Sequence, residues 1–204
     1  IIYIINNLIK TSKNENFSNN KTISEILFND NILELKYNFT KYKKNCKKNY
    51  KLYFKNKKNE LNIRYKNLQD LIYIFNKHKV NYWLQGKTLL GIFKYGKLLE
   101  NDSDEDVGID SKNLLILCKK IIPDLLNIGF EIIRVTKNNS MITFMRNYRY
   151  IDVCIFRKKK DKYYYENKSF PYSYYLKFKK ININNFNYNI PKKSREICKY
   201  SYNI

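Results

Sequence analysis

Apolar positions fall into two periods along the chain. Leu68, Leu71, Ile72 and Phe75 recur at helical spacing and predict an amphipathic helix over about 62–79. Val80–Leu84 (VNYWL) reads as a strand, Gln85-Gly86 as a turn, and Thr88 to about Tyr95 as a helix closed by Gly96. The stretch ending at Ile109 turns extended. Asp110 and Ser111 are natural caps for the next helix, whose buried side is Leu114, Leu115, Leu117, Cys118, Ile121 and Ile122. Pro123 is placed to kink that helix, and Gly129 closes it. Three strands follow, over Phe130–Thr136, Met141–Arg146 and Tyr150–Phe156, with Lys137-Asn138-Asn139 as the turn between the first two. YIDVCIF is mostly apolar, which predicts a central place in a sheet. After a basic, tyrosine-rich stretch to Lys168, the tail reads as a strand-like YYLKFKKINI, a turn near Asn184-Asn185, and a short helix from Ile190-Pro191 to about Tyr200.

The first 60 residues are less patterned. Ile4, Ile5, Leu8 and Ile9 share one helical face, Ser12–Lys21 is a polar loop, and Thr22 with Glu25 has the spacing of a capping box. Lys41–Lys58 interleaves lysines with tyrosines. That mixture can bind single-stranded nucleic acid by charge and stacking, but a solvated, compositionally biased segment is preferred. The division expected is an Asn/Lys-rich, mainly helical extension over 1–60 and a separate, more strongly patterned domain over 61–204.

Composition adds a charge question. Forty basic residues against 18 acidic ones give a net charge of +22 in 204 residues. Such a chain is drawn to anions: nucleic acid, anionic lipid, nucleotides or phosphorylated glycans. The excess of Asn, Lys, Ile and Tyr over the whole chain also fits simple compositional drift, so a polyanion enters only as a further partner. The four cysteines, Cys46, Cys118, Cys154 and Cys198, form no CxxC pair and there is one His, which argues against zinc held by sequence-close ligands. IIYIINNLI is too short to span a bilayer, and no signal peptide or transmembrane segment is read.

The candidate chemistry lies in Tyr82–Ile109. On a strand Asp104 and Asp106 project to one face, with Asp102 as a secondary candidate, while Glu105 and Val107 point the other way. Asp152 is a lone acid in an apolar strand, which is costly unless it is paired, with Arg149, Arg146 or another base, or metal-bound. Asp104, Asp106 and Asp152 together suit Mg²⁺ or Mn²⁺ gripping phosphates. Gly86, Lys87 and Thr88 open a helix whose first N–H groups can face phosphate, and Lys94 adds a charge. A P-loop is excluded, because its upstream glycine would fall on Asn81.

The stretch resembles the LicD/fukutin family of the nucleotidyltransferase superfamily. The residues that carry this are Tyr82-Trp83-Leu84, Thr88-Leu89-Leu90-Gly91, Lys94, Asp104-Glu105-Asp106-Val107-Gly108-Ile109, and Ile151-Asp152-Val153. Phe170-Pro171 and Ile190-Pro191 extend the likeness over about 65–204. Lys87 stands where the family usually has Gly, Lys94 where it has Arg, Glu105 where it has an apolar residue, and Glu100-Asn101 where a Pro-aromatic pair is common. The resemblance implies an α/β (α+β) fold with a nucleotidyltransferase-like mixed β-sheet flanked by helices. It implies transfer of a phospho-alcohol, such as phosphocholine or ribitol phosphate, from a CDP-linked donor to a glycan hydroxyl. Alternatives are a nucleotidyltransferase acting on RNA, protein or a small molecule, and a non-catalytic basic protein that binds polyanions.

Overall fold

A computed structural model describes residues 57–136 and 140–203. The extension and Cys46 lie almost wholly outside the described residues, as does the turn at 137–139.

Helix α1 (Lys57–Lys77) has two buried stripes. Leu68, Leu71, Ile72 and Phe75 are fully buried, as the spacing requires, but so are Glu60, Arg64 and Asn67. These three polar residues are buried because each has a partner. Glu60 pairs with Arg149, Arg64 with Glu105, and Asn67 exchanges hydrogen bonds with Arg146 at 2.8 and 3.0 Å. At the helix end His78 meets Asp124 at 2.7 Å.

Strand β1 (Tyr82–Leu84) leads into α2 (Gly86–Leu90), which continues as a wider helical turn over Gly91–Tyr95 before Gly96. Strand β2 (Asp104–Asp110) follows. The Asp110 carboxylate accepts from the Lys112 N–H at 2.9 Å and so caps the next helical run, α3 (Leu114–Ile116) and α4 (Ile122–Asn127). The run widens over Leu117–Ile121, and Pro123 follows directly as the second residue of α4. Strands β3 (Glu131–Val135), β4 (Met141–Arg146) and β5 (Arg149–Lys159) come next.

The main sheet runs β1-β2-β5-β4-β3, with β6 (Lys162–Tyr165) on the far end of β5 and β7 (Lys168–Pro171) beside it. Only β2 and β5 are parallel among these pairs, the helices and the β3–β4 hairpin forming the crossover between them. The central place read for YIDVCIF holds: Ile151 and Val153 are fully buried. The tyrosine-rich stretch after Arg157, left without structure by its composition, is the β6–β7 hairpin. Beyond it β8 (Phe178–Ile183) and β9 (Phe186–Pro191) form a separate hairpin turned by Asn184 and Asn185, both at positive φ (50° and 61°). The last helix, α5 (Ser194–Tyr202), starts three residues later than Pro191.

An aromatic cluster ties the two hairpins to the sheet. Trp83 packs against Phe156, Tyr163, Tyr175 and Phe178 with ring centroids 5.1–6.0 Å apart. Its indole lies directly on Gly108, where an added Cβ would stand 2.2 Å from Nε1. Only glycine leaves room for that approach. Cys118, Cys154 and Cys198 are buried free thiols. Among the described residues no helix is long and apolar enough to cross a membrane.

Candidate active site

Alternation along β2 puts Asp104 and Asp106 on one face, and the parallel register sets Asp106 beside Asp152 and Asp104 beside Tyr150. Each of the three aspartates offers a carboxylate oxygen, and these oxygens lie within 4.8 Å of one another. Asp102 precedes the strand and instead accepts from Lys87 at 3.3 Å.

Burial and mutual crowding shift the ionisation of Asp104 and Asp106. Burial first, then the charges of Asp104 and Asp152, hold the Asp106 carboxyl well above the usual range. Asp104 is raised by burial and then by Asp152. Asp152 is the best neutralised. Its Oδ1 accepts from the Thr143 hydroxyl at 2.5 Å and its Oδ2 from Arg134 Nη2 at 2.8 Å. The base expected beside Asp152 is therefore Arg134, reaching across β4 from β3. Arg146 is engaged with Asp70 at 2.6 Å, and Arg149 with Glu60. Three oxygen donors with one cation between them suit a hard divalent ion of the Mg²⁺ or Mn²⁺ kind, and this set could hold one.

The turn at Gly86 is latched onto this face. The Gln85 N–H donates to the Asp106 carbonyl at 3.0 Å, and the Asp106 N–H donates to the Thr88 hydroxyl oxygen at 2.9 Å. Gly86 has φ +62°, and a Cβ there would stand 2.1 Å from Asp106 Oδ2. Conformation and close approach both demand glycine. Thr88 is thus buried, its oxygen bracing β2. Lys94 is exposed and lays its ammonium over the Tyr95 ring at 5.4 Å.

Several residues around the acids were invisible to pattern reading. Tyr150 shares a hydrogen bond with Ser103 at 3.3 Å, and Ser103 donates to Asp104 at 3.0 Å. Tyr202, on α5, has its phenol raised by burial and then by the Asp106 charge, so the end of the chain lies in the field of the acids. Arg134 and Thr143 could have been placed only by knowing which strands pair. Glu105, pointing away from the two aspartates as alternation requires, is fully buried, with Arg64 Nε at 2.6 Å.

The family model described as LicD/FKTN/FKRP, nucleotidyltransferase domain, matches residues 79–193, more than half of the chain. The chain belongs to this family. The matched span contains the glycine turn, all three clustered aspartates and both hairpins. Two relatives are the uncharacterized proteins RT0683 of Rickettsia typhi and RP689 of Rickettsia prowazekii. They are 27% identical over 128 residues and 25% identical over 105 residues, covering 57% and 49% of this chain. The matches span 39% and 35% of those two proteins, so they run well beyond what this chain covers. Among solved structures, the solution structure of the antibiotic-resistance factor ANT(2'')-Ia superposes with a TM-score of 0.52 at 8% identity, over 70% of this chain and 71% of that one. The lincomycin-bound lincosamide antibiotic adenylyltransferase LnuA gives a TM-score of 0.49 at 21% identity, over 68% and 87%. The former likeness supports the nucleotidyltransferase fold that the mixed sheet already displays. Membership of the LicD family supports a phosphotransferase-like role for the domain.

Proposed function

We propose that this chain is a metal-dependent transferase that moves a phospho-alcohol, of the phosphocholine or ribitol-phosphate type, from a CDP-linked donor to a glycan hydroxyl. The observation that carries the reading is the meeting of Asp104, Asp106 and Asp152 from two adjacent parallel strands, under a glycine turn latched to Asp106. Asp104 and Asp106 would hold Mg²⁺ or Mn²⁺ beside the donor phosphates, with Asp152 completing the set. The cation, when bound, supplies charge to the phosphoryl oxygens as the bond to the leaving group breaks.

The remaining roles belong to the chain itself. Asp152 accepts the proton of the acceptor hydroxyl. Thr143 and Arg134 hold its two oxygens, so its orientation precedes substrate. The acceptor oxygen bonds to the phosphorus that bears the alcohol, the bond from that phosphorus to the bridging oxygen breaks, and CMP leaves. Gly86 and Lys87 present the first N–H groups of α2 to the donor phosphates. Thr88 keeps its hydroxyl proton for donation while its oxygen braces Asp106. Lys87 and Lys94 add positive charge at the rim. The catalytic unit is assigned to 61–204 and the Asn/Lys-rich extension to 1–60.

The test is a panel of CDP-alcohols and nucleoside triphosphates with Mg²⁺ or Mn²⁺ and glycan acceptors, reading the leaving group. The reading expects CMP. A second reading, nucleotidyl transfer to RNA, protein or a small molecule, is favoured by the net charge of +22 and expects pyrophosphate. No turnover, with steeply salt-dependent binding to any polyanion, would move the chain to a non-catalytic role.

A further inference from the structure

We propose that Arg64, on the side of the sheet away from the three aspartates, is a positioning residue for them. It rests on the reading that Asp104, Asp106 and Asp152 hold a divalent cation. Arg64 is 2% exposed, and among the described residues its hydrogen bonds go to Glu105 and Leu99 and not to the three aspartates. Its Nε donates to Glu105 Oε1 at 2.6 Å, and its Nη1 donates to the Leu99 carbonyl at 2.9 Å. Glu105 is the residue between the two strand aspartates. Any movement of its side chain is passed through one peptide unit to Asp104 and Asp106 on the opposite face. Among the described residues Glu105 Oε2 is buried with no hydrogen-bond partner, and Arg64 is what anchors this carboxylate.

The second contact extends the brace. The Leu99 carbonyl also accepts from the Asp102 N–H at 3.2 Å, inside the segment that joins α2 to β2. Next to Arg64, the Tyr65 hydroxyl accepts from the Leu98 N–H at 2.9 Å. One turn earlier, Glu60 pairs with Arg149, whose Nη1 lies 3.4 Å from the Ser103 carbonyl. Helix α1 therefore braces the approach to Asp104 at Leu98, Leu99 and, through Arg149, Ser103. This helix lies before the span that matches the family, and it joins the catalytic unit physically.

The experiment is Mn²⁺ titration of the full chain by calorimetry, beside thermal unfolding without metal. Arg64→Met is expected to weaken Mn²⁺ binding by about 10-fold or more, the usual cost of losing support behind a ligand. Arg64→Lys should recover part of it, having charge but not the forked donor set. The double variant Arg64→Met/Glu105→Leu removes the buried charges together and should remain as heat-stable as the parent. It should still bind Mn²⁺ weakly, because the Leu99 carbonyl has lost the Arg64 donor and keeps only the Asp102 N–H. A folded double variant with parental Mn²⁺ affinity would show that the pair only stabilises, and would overturn the inference. A parent chain that does not bind Mn²⁺ defeats the metal reading itself, and the positioning role with it.

Discussion

The two faces of β2 carry acids one residue apart and treat them oppositely. On one face Glu105 is fully buried and joined to a single arginine. Burial pushes its carboxyl up to about 7 even though the Arg64 charge pulls it down. On the other face Asp104 and Asp106 face a third carboxylate, Asp152, which pairs with Arg134. The first arrangement satisfies its charges internally. The second leaves negative charge uncompensated in one place, which a folded chain tolerates when an outside cation can compensate it. Acid in a strand is therefore not one signal but two, separated by which face holds a base.

Breaking the carboxylate face should produce the largest effect. Asp106→Asn is expected to lower turnover by about 1000-fold or more, since a cation's charge on the phosphoryl oxygens is worth several kcal/mol. The same variant should unfold no earlier than the parent, because it relieves repulsion. A parallel loss of thermal stability would contradict the division between faces. The pH dependence sharpens it. Asp106 is raised in the folded, metal-free state, so the fold binds more protons than the unfolded chain. Its contribution is present at low pH and lost as pH rises through the folded value. Unfolding temperatures measured without metal should therefore fall with rising pH above the ordinary carboxylate range, less so in Asp106→Asn.

Breaking the other face should act on stability first. Glu105→Ala leaves Arg64 buried without its carboxylate and is expected to cost about 3 kcal/mol in denaturant unfolding. A loss below about 1 kcal/mol would show that the pair is no stronger than a surface one. Gly86→Ala probes the latch between the faces. The positive φ alone costs about 1–2 kcal/mol, and the methyl would press on Asp106, so Mn²⁺ affinity should drop together with stability. The smallest effect is expected away from β2, at Asp70. Burial raises this carboxyl, but the hydrogen bonds from Lys66 and Arg146 outweigh it and leave it lowered. Its contribution is present above the ordinary carboxylate value and lost as pH falls through the lowered one. Asp70→Asn should cost about 0.5–1 kcal/mol at pH 7 and progressively less as pH falls below the ordinary carboxylate value, by unfolding across that range.

Much of this was legible in residue order. The period of Leu68, Leu71, Ile72 and Phe75 marks α1, and the apolar run at Ile151–Phe156 marks the buried central strand. The tandem of Gly86 and the 104/106 aspartates marks the candidate site, because glycine and alternation act over a few residues. The polar stripe of α1 was not legible. Glu60, Arg64 and Asn67 look like a solvated face until their partners, 41 to 89 positions away, are brought against them. The β6–β7 hairpin was missed for a related reason: its lysines and tyrosines hide an alternation whose inward members are Tyr163 and Phe170.

By itself the sequence determined the local geometry: helix and strand periods, turns that only glycine or asparagine fills readily, and two carboxylates on one face of a strand. These depend on backbone sterics and side-chain direction, which are set within a few residues. The tertiary structure alone decided which charges meet. It put Asp152 beside Asp106, chose Arg134 over Arg146 and Arg149 as its base, and turned Glu105 inward onto Arg64. Those outcomes depend on strand order and register, which come from packing the whole core and not from any single stretch of it.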